Sequence, residues 1–247
     1  MSSLSPSDEA AVTAAIAAVP QLAMLGGRAA LTVTRLGGLT NLVYKIEPPD
    51  SAAPLCLRVP GAGTERYIDR ASERANAAAA ARAGVGPEVL HFGDDGVMLM
   101  PLLPGATLSP EAFAAGPGVA TRAGIALRKL HASGESFSSC FALFEQIDRY
   151  LAELGGDGAA LPDGYLRVLA SAEDVRAALA ARPLPIAPCH CDPLCENFID
   201  DGTRVWIIDF EVHLSQSPLT VSPCANIGSL RQSPVPVVAA PWDSTAG

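Results

Sequence analysis

Positive charge is scarce in this sequence. Its 247 residues hold 17 Lys and Arg against 26 Asp and Glu, a formal net charge of −9 with a pI near 4.9. A protein that neutralises many phosphates spreads cations over a face, and too few are present for that, so nucleic acid is excluded as the main partner while a small basic pocket is not. Long apolar runs are also missing. The longest charge-free stretch near the start, 10–27, is mostly Ala and is broken by Thr13, Pro20, Gln21 and Gly26-Gly27, which argues against a membrane span. The first seven residues carry no Lys or Arg and the first charges, Asp8 and Glu9, are acidic, so no secretory leader is expected and the cytoplasm is the expected compartment. Cysteine is sparse as well: six (56, 140, 189, 191, 195, 224), three of them crowded within seven residues, do not form a disulfide framework in a chain of this length. What is present is 49% hydrophobic residues, enough for a globular protein with one sizeable core or two modest lobes.

Ser5-Pro6-Ser7-Asp8 has an N-cap, a Pro at the first helical position and an acid three residues after the cap, followed by an Ala-rich run to Val19, and so predicts a helix. From Leu31 the period changes to two. Strands are expected at 31–35, 42–46 and 55–59, separated by Gly37-Gly38 and by Pro48-Pro49-Asp50, and together they make a small, largely antiparallel sheet. Helix formers fill 64–83, with Gly84 as the stop. A hairpin follows over 89–100 through Asp94-Asp95-Gly96, then a connector over 101–105, with a lobe boundary near residue 103. Beyond it helices are predicted over 119–131, 141–154 and 171–181, and then a loop leads into a second hairpin through Asp201-Gly202.

The chemistry concentrates in His190-Cys191-Asp192-Pro193-Leu194-Cys195-Glu196-Asn197 and in Asp209-Phe210-Glu211 beyond that hairpin. Phosphoryl transfer from ATP needs a carboxylate to orient and deprotonate a hydroxyl, and oxygen ligands for the magnesium that bridges the phosphates. The spacing H-x-D-x-x-x-x-N supplies both: Asp192 as base, Asn197 as a metal ligand, and Asp209 as the second metal ligand. The alternative is a chance surface loop. Cys189, His190, Cys191 and Cys195 also invite zinc, but structural zinc sites draw ligand pairs from separated segments and no second Cys/His pair lies nearby.

On these motifs the chain resembles the kinase-like small-molecule phosphotransferases, in particular choline and ethanolamine kinases and the related aminoglycoside phosphotransferases. The resemblance runs from about Leu36 to Glu211. It also rests on Gly37-Gly38-Leu39-Thr40-Asn41, on Leu57-Arg58-Val59-Pro60-Gly61-Ala62-Gly63-Thr64, on Tyr67-Ile68-Asp69-Arg70 with Glu73, and on Leu130-His131-Ala132-Ser133-Gly134. It implies an α+β, two-lobed protein-kinase-like fold with an antiparallel N-terminal lobe (1–103) and a mainly helical C-terminal lobe (104–211). The segment from Arg58 to Glu73 is closest to the choline kinase branch, where an Arg replaces the usual phosphate-pairing Lys.

Gly37 and Gly38 let backbone approach phosphates, with Thr40 and Asn41 adding polar groups; such a pair also serves as a plain hairpin turn. Arg58 on the third strand reaches phosphate oxygens or is a surface Arg at a strand end. By the resemblance its partner is Glu73, although Glu65 and Asp69 share the expected helix. The stretch 98–103 fits the connection between lobes, where backbone groups, those of Met100 and Leu102 among them, are expected to meet the adenine ring. His190 is expected to support the loop by hydrogen bonding.

Residues 212–247 hold one acid (Asp243) and one base (Arg231) and sustain neither period, so an irregular tail is expected where the resembled family has further helices. Truncation or replacement of the C-terminus, with apolar surface exposed on the second lobe, is the corresponding expectation. The activity implied is ATP- and Mg2+-dependent phosphorylation of a small alcohol, choline or ethanolamine first. An aminoglycoside kinase and a non-catalytic nucleotide- or partner-binding protein are the alternatives.

Overall fold

The computed structural model describes residues 4–37, 41–49, 52–64, 68–115, 117–138, 143–156, 160–181, 186–210 and 214–216. Helix α1 (Pro6–Ala18) starts where Ser5 accepts a hydrogen bond from the Asp8 N–H at 3.1 Å. Val12, Ala15, Ile16 and Val19, spaced for one helical face, are buried, and a short α2 (Pro20–Met24) continues the cover with Leu22.

That face lies on an antiparallel sheet made of β1 (Thr32–Gly37), β2 (Asn41–Glu47), β3 (Leu55–Pro60), β4 (His91–Phe92) and β5 (Met98–Pro101), in the order β1-β2-β3-β5-β4. Register puts Tyr44, Leu57 and Leu99 side by side in one row beneath α1, all of them fully buried. Side chains alternate across a strand, so Cys56 and Arg58 of β3 and Met98 and Met100 of β5 belong to the opposite face. There Met98 and Met100 pack against Ala77 of α3 (Arg70–Arg82).

Helix α3 begins six residues later than the run of helix formers does. Asp69 explains the difference: its carboxylate accepts from the Ala71 N–H at 3.0 Å and from the Ser72 hydroxyl at 2.6 Å, fixing the cap there. Ala79, Ala80 and Ala83 then enter a second core with Ala123, Ala126 and Leu130, and with Phe198, Val205 and Ile207. α3 therefore joins the two parts of the molecule, and the core does not divide at residue 103.

The helical part contains α4 (Pro110–Ala114), α5 (Pro117–His131), α6 (Leu143–Gly156) and α7 (Tyr165–Ala181), the last starting earlier than its sequence pattern indicates. Three short strands, β6 (Ala106–Thr107), β8 (Phe198–Asp200) and β9 (Val205–Ile207), form a small sheet in the order β6-β8-β9. Arg122 of α5 clamps it by a bidentate pair with Asp200 at 2.8 and 2.5 Å. One strand forms inside the segment expected to be irregular: β10 (Leu214–Gln216) pairs antiparallel with β7 (Ala187–Cys189), Leu214 opposite Cys189. An edge strand offers unpaired backbone groups that recruit a neighbour without any side-chain period. The rest of the tail lies outside the described residues. No helix among the described residues is long and apolar enough to cross a membrane.

Candidate active site

β7 delivers the chain to His190, and the catalytic-loop spacing is then set by backbone bonds. The Asp192 N–H donates to the His190 carbonyl at 2.8 Å, the Leu194 N–H to the Asp192 carbonyl at 2.9 Å, and the Asn197 N–H to the Leu194 carbonyl at 3.0 Å. The Asn197 side chain closes the loop by donating Nδ2 to the Asp192 carbonyl at 2.9 Å. Its amide nitrogen is thus engaged within the loop, and Oδ1 is the atom of this side chain suited to a cation.

A single residue, through its backbone N–H and its carbonyl, registers this loop against the strand end that carries Asp209. The Ile208 N–H donates to the Asn197 carbonyl at 3.0 Å, and the Ile208 carbonyl accepts from His190 Nε2 at 2.8 Å. His190 is buried against Phe198 and Phe210, and that burial pushes its pKa down from 6.5 to about 4, so it is a neutral Nε2–H donor at pH 7.

Both non-glycine residues with left-handed backbone among those described sit here: Cys191 (φ 62) immediately before Asp192, and Asp209 itself (φ 67). Asp tolerates that region better than Cys, and paired outliers beside two acids mark a loop whose shape is imposed by what it must present. The Asp192 carboxyl has its pKa raised, first by desolvation and then by the neighbouring charge of Glu196.

On the sheet side, Arg58 and Glu73 form a buried ion pair in which Arg58 Nη2 donates to Glu73 Oε1. Arg58 Nη1 also lies 3.6 Å from Asp209 Oδ1. The structure therefore brings Arg58, Glu73 and Asp209 into one cluster, and holds Asp192 and Asn197 to it through the backbone of Ile208. Asn41, at the start of β2, is buried. Gly37 ends β1 with its carbonyl accepting from Arg35 Nε at 2.9 Å. Gly38 and Thr40, with Glu65 and Glu211, lie outside the described residues.

The connector stretch holds Met100 and Leu102 as follows. The Met100 side chain is buried in the small cluster with Ala77, and the Leu102 N–H is engaged by the Pro54 carbonyl at 3.0 Å. The 101–102 peptide is trans and planar, so the Pro101 carbonyl points the opposite way, toward the edge where β4 has already ended in register with Leu99. Within 98–103 sequence reasoning missed which backbone groups the sheet consumes, because a hydrophobic connector shows no sign of it. It also missed Arg35, which anchors Gly37 while pairing with Asp8 of α1; no local pattern links positions 27 residues apart.

Hard oxygen donors at Asn197 and Asp209 fit Mg2+. Among the described residues no group of three or more His, Cys, Asp or Glu side chains is disposed to hold a metal ion. That set fits a cation which takes its remaining ligands from phosphates and water, as Mg2+ does.

The antiparallel lobe, the helical lobe and this loop arrangement are those of a kinase-like fold. A model of the phosphotransferase enzyme family matches residues 32–212. A choline/ethanolamine kinase family protein from Mesorhizobium loti, of known crystal structure, is 47% identical; the match covers 90% of this chain and 72% of that one, with a TM-score of 0.73. The chain belongs to the phosphotransferase enzyme family, on its choline/ethanolamine kinase branch. Two more distant structures share the fold. They are the choline kinase of Streptococcus pneumoniae (23% identity, 81% of this chain and 70% of that one, TM-score 0.63) and an ADP-bound aminoglycoside phosphotransferase (16%, 76% and 67%, TM-score 0.51). A search of curated proteins gave no match.

Proposed function

We propose that this chain transfers the γ-phosphoryl group of ATP to the hydroxyl of a small alcohol, choline or ethanolamine first. The observation that carries the reading is the junction at Ile208, through which Asp192, Asn197 and Asp209 are held in one register beside the Arg58 and Glu73 pair. Support for nucleotide as the donor comes from the family, and a choline kinase relative of 24% identity has been crystallised with AMP.

Asp192 accepts the hydroxyl proton and aligns its oxygen with the phosphorus. Because the transition state of phosphoryl transfer is loose, that work is mainly orientation, and a partly desolvated carboxyl of raised pKa suits late proton acceptance. Arg58 presents its guanidinium to the phosphate oxygens, held from behind by Glu73. Asn197 Oδ1 and the Asp209 carboxylate hold Mg2+, which when bound neutralises phosphate charge. Gly37 and Gly38, with Thr40 and Asn41, approach the phosphates from the sheet. The Pro101 carbonyl, an acceptor on an open strand edge, receives the adenine amino group.

The test is ADP release from Mg-ATP with choline, ethanolamine and an aminoglycoside supplied separately. Turnover with choline or ethanolamine that falls by a factor of about 10² to 10⁴ in Asp192→Asn supports the reading. Turnover with the aminoglycoside alone, or with none of the three, overturns it.

A further inference from the structure

Glu73 carries two arginines, and only one of them has a role so far. Its Oε1 accepts from Arg58, and its Oε2 accepts from Arg70 Nη1 at 2.8 Å. Arg70 Nη2 continues to Thr64 Oγ1 at 2.5 Å, and the Thr64 hydroxyl donates to the Gly61 carbonyl at 2.9 Å. None of this is a surface arrangement: the Arg70 side chain is 12% exposed, Glu73 1% and Thr64 3%. The fold also makes room for it. Gly96, at φ +86 in the turn between β4 and β5, packs on the guanidinium so closely that a Cβ there would stand 2.6 Å from Arg70 Nε.

Burying a second cation beside Arg58 costs desolvation and like-charge repulsion, which a pair needed only for stability would avoid at the surface. The return is orientation. A carboxylate gripped through one oxygen swings about its last, soft torsion, whereas one gripped through both oxygens has its plane fixed.

We propose that Arg70 is a positioning residue for polyphosphate recognition. By fixing the plane of Glu73, and by tying Glu73 to the 61–64 turn through Thr64, it sets the direction in which Arg58 presents its guanidinium to the phosphates of a nucleoside triphosphate. The inference rests on the nucleotide reading above.

The experiment compares affinities for Mg-ATP and for adenosine by titration calorimetry, because only the former engages Arg58. Arg70→Met keeps the apolar stem and removes the guanidinium; thermal melting checks that it folds. Its adenosine affinity is expected to stay at the wild-type value while its Mg-ATP affinity falls about tenfold or more, the loss typical of a charged hydrogen bond. Thr64→Val, a milder change that frees the far nitrogen of Arg70 and the Gly61 carbonyl while leaving the Arg70 bond to Glu73 in place, is expected to move the same ratio in the same direction, by about threefold, and carries the test if Arg70→Met does not fold. An unchanged ratio overturns the proposal, as does an equal loss for both ligands, which would mean general damage. A wild-type chain that binds Mg-ATP no better than adenosine overturns the nucleotide reading itself, and is recognisable because it needs no variant.

Discussion

Asp192 is costly to ionise where it stands. With its folded pKa above the ordinary value, its contribution to stability is fully present at pH below that ordinary value and is lost as pH rises through the folded one. Asp192→Asn is therefore expected to lower turnover by a factor of about 10² to 10⁴ while leaving the melting temperature at neutral pH equal to or above the wild type's, which calorimetry beside the kinase assay would check. His190 has the opposite sign. A folded pKa depressed to about 4 means full stability above pH 6.5, lost progressively toward pH 4, in all on the order of 3 kcal/mol. His131, lowered by burial in the same direction, adds to it. Urea titrations at pH 7 and pH 5 should show the loss, and His190→Gln, which retains a donor for the Ile208 carbonyl, should flatten it. Cys191 holds left-handed backbone without being glycine. Cys191→Gly should relieve about 1–2 kcal/mol of strain against about 0.5–1 kcal/mol of added chain entropy in the unfolded state, a small net gain in melting temperature.

Among the elements, α3 shows most clearly how composition sets geometry. Its alanines enter the core that α5 also lines while its first turn holds Glu73 and Arg70. Ala80 is fully buried, and Ala80→Leu should cost about 1–3 kcal/mol and weaken Mg-ATP binding together with stability, measured by melting and titration on one sample. Elements with a pattern of their own were legible in the sequence: the cap at Ser5, the period of two from Leu31 onward, the helix over 119–131. β6 was not. Two residues carry no period, and Ala106-Thr107 become a strand only because β8 lies alongside. The start of α3 was missed for a related reason, since propensity favours helix from Thr64 onward and only the side-chain bonds of Asp69 select where it begins.

For the whole molecule, the loop spacing from Asp192 to Asn197 was legible, whereas the approach of Arg58 to Asp209, each named singly from the sequence, joins positions too far apart for any local pattern to show. α6 and α7 leave Tyr150, Leu166, Val168 and Val175 more than half exposed. Exposed apolar surface of that kind promotes association, so light scattering should rise with protein concentration and fall in a Leu166→Lys, Val168→Lys variant that melts at the wild-type temperature. The row beneath α1 has a consequence in time. Val12 and Ile16 leave the ribosome before the strand carrying Leu99, which is made about 80 residues later, several seconds at ordinary rates of synthesis. Throughout that interval the first helix carries an uncovered apolar stripe, so nascent chains of this protein are most open to capture by chaperones, or by one another, before their hundredth residue has emerged.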